Sequence, residues 1–356
     1  MRATTTLRLI AATLVILSAM LVATGFRPAR AAEPLVKLSA DLVIELAAAS
    51  DATSPPVVTA VAIHPRGDIL AAAGDDHLVR ILDVKTGRLL RTLSGHSDWV
   101  RSVAFSPDGE TLSTAGDDGR VILWTLKTGQ QQIDLGYAGQ SVFAVCFSAD
   151  GRLLASVGFA RKLRIYDLQK QREVAAWSCA CRDTRTVAFS KDGKRIVAGG
   201  RNGKLRAWDV ASGEIVWQES SHRRRIRQIV TSPDGKLMAS IGDGSQLRVW
   251  RVEDGRLQRE IKTPGPKMLS LEFLDKQRLA AGGSDNVVHL WDAASGRRLA
   301  RLEGHTGSVA AMAYDRSTKL LVTGSYDTTI RLWKLDNLNE KLRGQRQATR
   351  PATISK

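Results

Sequence analysis

His96, Thr114 and Asp118, and again His305, Thr323 and Asp327, bring together an imidazole, a hydroxyl and a carboxylate. These groups cooperate in nucleophilic catalysis when geometry aligns them. Here each set is followed by an indole, Trp124 or Trp333, 28 residues after its His. The set recurs on two separate stretches, and an indole donates a hydrogen bond but accepts none. A structural role is therefore expected, not acyl transfer. Asp75, Asp117 and Asp243 are the remaining carboxylates that could serve acid–base work or Ca²⁺ binding. They are single residues on separate stretches, which is a poor start for either. Cys146, Cys179 and Cys181 make an odd count with one Cys-x-Cys pair. With one intervening residue a Cys179–Cys181 bridge would be strained, and no further ligand stands at metal-binding spacing. Free thiols are expected. No nucleophile elbow, phosphate-cradling glycine loop, zinc helix or haem-attachment motif occurs. The chain is expected to have no catalytic residue, no cofactor and no metal.

The elements that position these residues repeat. Apolar runs end at Leu82, Trp124, Tyr166, Trp208, Trp250, Trp291 and Trp333, at intervals of 42, 42, 42, 42, 41 and 42 residues. Sixteen residues before the marker, an Asp-Gly turn recurs at Asp108, Asp150, Asp192 and Asp234, read as type I′ with positive φ at both central residues. Five residues after it a second glycine recurs, at Gly87, Gly129, Gly213, Gly255 and Gly296. Strand-like runs such as Val100–Phe105, Thr111–Ala115, Val121–Thr125 and Gly203–Val210 lie between the turns. Four short strands and three tight turns per period make one propeller blade. The fold class is all-β, a seven-bladed propeller spanning residues 42–335.

Gly95-His96, Gly304-His305, Trp208-Asp209 and Trp291-Asp292 carry a resemblance to the WD-repeat family. That resemblance implies a hydrogen-bonded tetrad in the blades holding His96, Thr114, Asp118 and Trp124, and His305, Thr323, Asp327 and Trp333. Blade five keeps His222, Ser240 and Trp250, with Gly244 where the acid would stand. Blades one, three, four and six have lost more, with Leu82 and Tyr166 at the marker and Ala180 in the His slot. The resemblance also implies a binding scaffold, with a lactonase- or quinoprotein-like enzyme as the alternative.

A ring needs its last sheet edge covered. Leu42–Leu46 is the expected outer strand of blade seven, since Val43 and Ile44 favour strands more than Asn337 and Asn339 do. The competing arrangement puts a fourth strand at Lys341–Arg343. Residues 336–356 read as a basic, disordered tail.

Residues 1–31 read as a signal peptide or uncleaved anchor: Arg2 and Arg8, an apolar run from Leu9 to Phe26, then Ala29-Arg30-Ala31. A bacterial, exported protein is expected on this basis, periplasmic or secreted. Removing these residues takes away four arginines and no acid, lowering the net charge from +16 to +12. Outside the cytoplasm that excess suits acidic proteins, anionic headgroups or glycans rather than nucleic acid. A monomer with protein partners is expected.

Two offsets sample the loop-bearing face. Seven residues before the marker stand Asp75, Asp117, Phe159, Arg201, Asp243, Ser284 and Tyr326. Twenty-five before it stand Val57, Trp99, Ser141, Asp183, Arg225, Pro266 and Ser308. Trp99, Phe159, Arg201, Arg225 and Tyr326 would suit a partner with acidic and apolar groups. The run His222–Arg227 is a solvated loop entering the next strand, or a patch for an acidic partner. Arg80, Arg164, Arg206, Arg248 and Arg331, two before the marker, read as stems packed between blades rather than a nucleic-acid stripe.

Overall fold

The computed structural model describes residues 35–48, 54–136, 139–179 and 181–348. Seven sheets follow one another along the chain, six of four antiparallel strands and one, in blade six, of five strands. Blade two is typical, with Val100–Phe105 innermost, then Thr111–Gly116, Val121–Thr125 and Gln131–Asp134 at the rim. The second and third strands are the most buried, because both their faces are covered by neighbouring blades. Seven apolar clusters fill the seven blade-to-blade interfaces. Each marker residue sits in the cluster shared with the preceding blade: Trp124 lies with Ile81 and Ala71, Trp333 with Leu290 and Ala280. This explains why a large apolar side chain recurs once per period.

The ring closes through strand β2 (Leu42–Glu45), which pairs antiparallel with Thr329–Lys334 and becomes the outer strand of blade seven. Ile44 is buried there and packs on Gly87 of blade one. An additional strand, β1 (Val36–Leu38), runs parallel to Arg298–Leu302 and gives blade six a fifth strand.

Helix α1 (Leu338–Ala348) stands where the first part of a disordered tail and the competing fourth strand were expected. Its cause is local. Asp336 and Asn337 precede its first turn, Glu340 lies within it, and Leu338 and Leu342, four apart, join the core between blades six and seven. Residues 1–31 and 349–356 lie outside the described residues, as does Ala180.

Two local expectations are corrected. The Asp-Gly turns are not type I′, because only the glycine has positive φ: Gly109, Gly151, Gly193 and Gly235 lie at +77°, +72°, +68° and +74°. The aspartate instead accepts from the Ser hydroxyl two residues earlier and the N–H two residues later, as Asp108 does from Ser106 and Glu110. The interval of 41 arises in blade six, where the turn joining Phe273 to Arg278 is one residue shorter than that joining Phe105 to Thr111. Lys267, not Pro266, therefore occupies the loop position expected for blade six, and its carbonyl accepts from the Ser284 N–H at 2.9 Å.

Candidate functional site

The structure brings the tetrad residues into contact. In blade two, His96 Nδ1 lies 2.8 Å from Asp118 Oδ2, and Nε2 lies 2.8 Å from Thr114 Oγ1. The Trp124 indole donates to the same hydroxyl at 2.9 Å. In blade seven His305, Asp327, Thr323 and Trp333 repeat this at 2.9, 2.8 and 3.0 Å. The carboxylate fixes the proton on Nδ1, leaving Nε2 to accept from the hydroxyl. Burial pushes the Asp327 carboxyl up, but hydrogen bonds from Thr329, the Thr306 N–H and His305 outweigh it and hold it at about 2. Blade five keeps two of the three links: His222 Nε2 to Ser240 at 2.8 Å, and Trp250 to Ser240 at 2.9 Å.

The degenerate blades hold substitutes that the repeat pattern does not announce. Asp76 and Asp285 stand at the tetrad-acid position in blades one and six. Asp76 receives Arg80 at 2.6 Å, and Asp285 receives His289 at 2.7 Å, both from two residues before the marker. The third strand thus supplies the hydrogen-bond donor that the missing loop His would have provided. In blade three the Ser156 hydroxyl, at the Thr114 position, is buried without a partner among the described residues. The recurring arginines also differ from expectation. Arg164, Arg206 and Arg248 bind Glu173, Gln218 and Glu260 on the outer strand of their own blade, and Arg206 also donates across the blade interface to the Ser178 carbonyl at 2.8 Å. They are neutralised or shared, so they form no basic stripe.

The two offsets do sample one face. The N–H at the first offset donates to the carbonyl at the second in blades two to five and seven, as in Asp117 to Trp99 and Arg201 to Asp183, at 2.9 and 2.8 Å. A glycine precedes the first position in every blade but the seventh. At Gly158 a Cβ would lie 2.0 Å from the Ser141 carbonyl oxygen, so the two loops touch and only a glycine fits. That glycine, eight before the marker, went unread although the register contains it.

The face surrounds a central channel of about 480 Å³, lined near its mouth by Arg101, Phe143, Arg185, Arg227 and Tyr326. Phe159 and Tyr326 are 46% and 45% exposed, and Arg201 is exposed. Trp99 and Arg225 are held. Arg101 lies 4.4 Å over the Trp99 ring, and Arg225 pairs with the buried Asp183 at 3.0 Å. Asp183 also binds Arg185, which stacks on Phe143.

The carboxylates considered for catalysis or Ca²⁺ are engaged. Asp117 binds Arg101, Asp243 binds Arg227 at 2.8 Å, and Asp75 accepts from the Val57 N–H at 2.9 Å. Glu272 lines the channel, and burial, opposed by Arg316, pushes its carboxyl up to about 7. It stands without a second carboxylate or an imidazole in the channel lining. Burial pushes the Cys146 and Cys179 thiols up to about 12 and 11, so neither is a ready nucleophile. Among the described residues no three His, Cys, Asp or Glu side chains gather to hold a metal ion. The His, Asp and Thr sets are spent on structure, and the protein has no catalytic constellation among those residues.

Sequence comparison places these blades among known proteins. A stretch of 53 residues is 43% identical to eukaryotic translation initiation factor 3 subunit I of Eremothecium gossypii, covering 15% of each chain. Another of 60 residues is 42% identical to the periodic tryptophan protein 2 homolog of Neurospora crassa, covering 17% of this chain and 7% of that one. A third, of 74 residues, is 36% identical to pre-mRNA-processing factor 19 of Bos taurus, covering 21% and 15%. The chain thus matches only small parts of these relatives. All are eukaryotic, which corrects the expectation of a bacterial exported protein. The signal-peptide, periplasmic and secreted readings rested on the composition of residues 1–31, outside the described part, and this kinship runs against them. Among the described residues no helix is long and apolar enough to cross a membrane. Residues 57–334 match the family model described as the IFT122 first beta-propeller, and the chain belongs to that propeller family.

Proposed function

We propose that this propeller is a protein-binding scaffold, without catalytic activity of its own, that presents the loop face around the channel mouth. One observation carries the reading. The catalytic-type side chains are locked in structural bonds, while Phe159, Arg201 and Tyr326 remain exposed on that face. Large exposed apolar and arginine side chains beside a concave mouth are what an interface centre uses. The partner surface combines acidic and apolar groups, and the propeller acts as a monomer, since its seven blade interfaces are all satisfied within one chain.

The test is quantitative affinity capture with the triple variant Phe159→Ala, Arg201→Ala, Tyr326→Ala. Ile215→Ala, exposed on the outer strand of blade four, serves as the control. Partner recovery falls about tenfold or more for the triple variant and stays unchanged for the control. Equal recovery from both sinks the assignment of the face.

A further inference from the structure

The loop face is not uniform in charge. Across blades one and two Asp76 is engaged by Arg80, Asp117 by Arg101 and Asp118 by His96, while Asp98 stays exposed. Across blades three to five the balance reverses. Arg161, Arg182, Arg201, Arg223 and Arg224 are all exposed and form no ion pair among the described residues. The local acids cannot answer them, because Asp183 already holds Arg185 and Arg225, and Asp243 holds Arg227. Between blades three and four a groove of about 480 Å³ opens among these arginines. Phe159, Arg161, Arg182 and Arg201 line it, with Cys179 and Cys181 on the same walls.

We propose that this groove and the arginines around it bind an extended acidic peptide segment of a partner protein, with one apolar side chain of that segment seated against Phe159. The inference rests on the scaffold reading above and narrows it to one sector, leaving out Trp99 and Arg225, whose side chains are already occupied. Charge complementarity selects the occupant. Guanidinium forks match carboxylates two atoms to two, and several unpaired forks at one groove favour a run of Asp and Glu. The apolar and thiol lining asks for a hydrophobic side chain among them. A nucleic-acid strand would need successive stacking surfaces along a basic track. In the groove a single aromatic ring, Phe159, is offered, and Asp183 also contributes to its lining.

Fluorescence anisotropy tests the proposal with the full chain and a labelled peptide, Glu-Glu-Asp-Phe-Glu-Asp-Glu. Saturable binding is expected, weakening about tenfold with Phe159→Ala and by about tenfold or more with Arg182→Glu combined with Arg201→Glu. The variant with Arg182→Lys and Arg201→Lys keeps the charge but loses the forked geometry, and its affinity falls between that of the wild type and that of the charge reversal. Raising salt from 50 to 500 mM weakens binding on the order of tenfold. No saturable binding, or binding indifferent to the charge reversal, overturns the proposal. So does tighter binding of single-stranded RNA or phosphatidylserine vesicles than of the peptide at equal ionic strength. If the peptide fails while the capture experiment still depends on the loop face, the sector is wrong and the scaffold reading stands. If the peptide binds this sector while capture ignores the face, the groove is upheld and the wider face falls.

Discussion

The hydroxyl of Thr323 holds two rings at once, accepting from the Trp333 indole and bonding His305 Nε2. Thr323→Val keeps the β-branched shape and removes both bonds, leaving two buried polar atoms unpaired. It should lower stability by about 2–4 kcal/mol, whereas Thr323→Ser should cost about 1 kcal/mol or less. Urea unfolding reads the difference; a Val variant as stable as the wild type would show that the chain of bonds adds nothing. His222 lacks the carboxylate its counterparts enjoy. Burial, aided by Arg248, pushes its imidazole down to about 4 from an ordinary value near 6.5. The unfolded chain therefore binds a proton between those values and the folded one does not. This contribution to stability is complete above about pH 6.5 and is lost as pH falls toward 4. Its limit is about 3 kcal/mol, and His222→Gln should flatten the dependence in unfolding curves taken across that range. The tetrad positions are legible in the chain because each lies at a fixed offset from an aromatic marker. Arg80 and His289 were not, since an arginine before a marker reads as a packing stem until its distance to Asp76 is known.

At the scale of elements, ring closure depends on four residues. Ile44 stands opposite Ile330 and packs on Gly87, joining blades seven and one. Ile44→Ala should cost about 2–4 kcal/mol, measured by thermal or urea unfolding. Deleting residues 1–46 should expose the Thr329–Lys334 edge and yield dimers or larger species by size-exclusion chromatography. A monomeric, equally stable deletion variant would contradict the closure. Leu42–Leu46 announces itself by β-branched residues ahead of the first full repeat. Val36–Leu38 does not, because three residues carry no readable alternation and the partner strand lies some 260 positions away. Helix α1 was hidden by its charge: two leucines suffice once a hydrophobic ledge is present, and that ledge is built by blades six and seven.

At the scale of the whole molecule, seven interfaces arranged in a ring share their fate. Linear repeat arrays can unravel from an end; here each blade has two packed neighbours. Trp124→Phe in blade two and Trp333→Phe in blade seven should therefore lower the midpoint of one common transition, seen identically by circular dichroism and intrinsic fluorescence. Two separated transitions in either variant would refute a single cooperative ring. The blade count was legible from the metre of the markers. The polarity of the loop face was not, because it depends on which arginine meets which acid across adjacent blades. The pairing of β2 with Thr329–Lys334 has a temporal side. Asp41 accepts from the backbone of Lys334, 293 positions later in the chain. At about 5–20 residues per second of synthesis, β2 waits some 15–60 s, on the order of a minute at most, for its partner to be made. Asp41 and Glu45 flank its apolar residues throughout that interval, so the charges that frame the finished seam also guard the nascent strand against premature association.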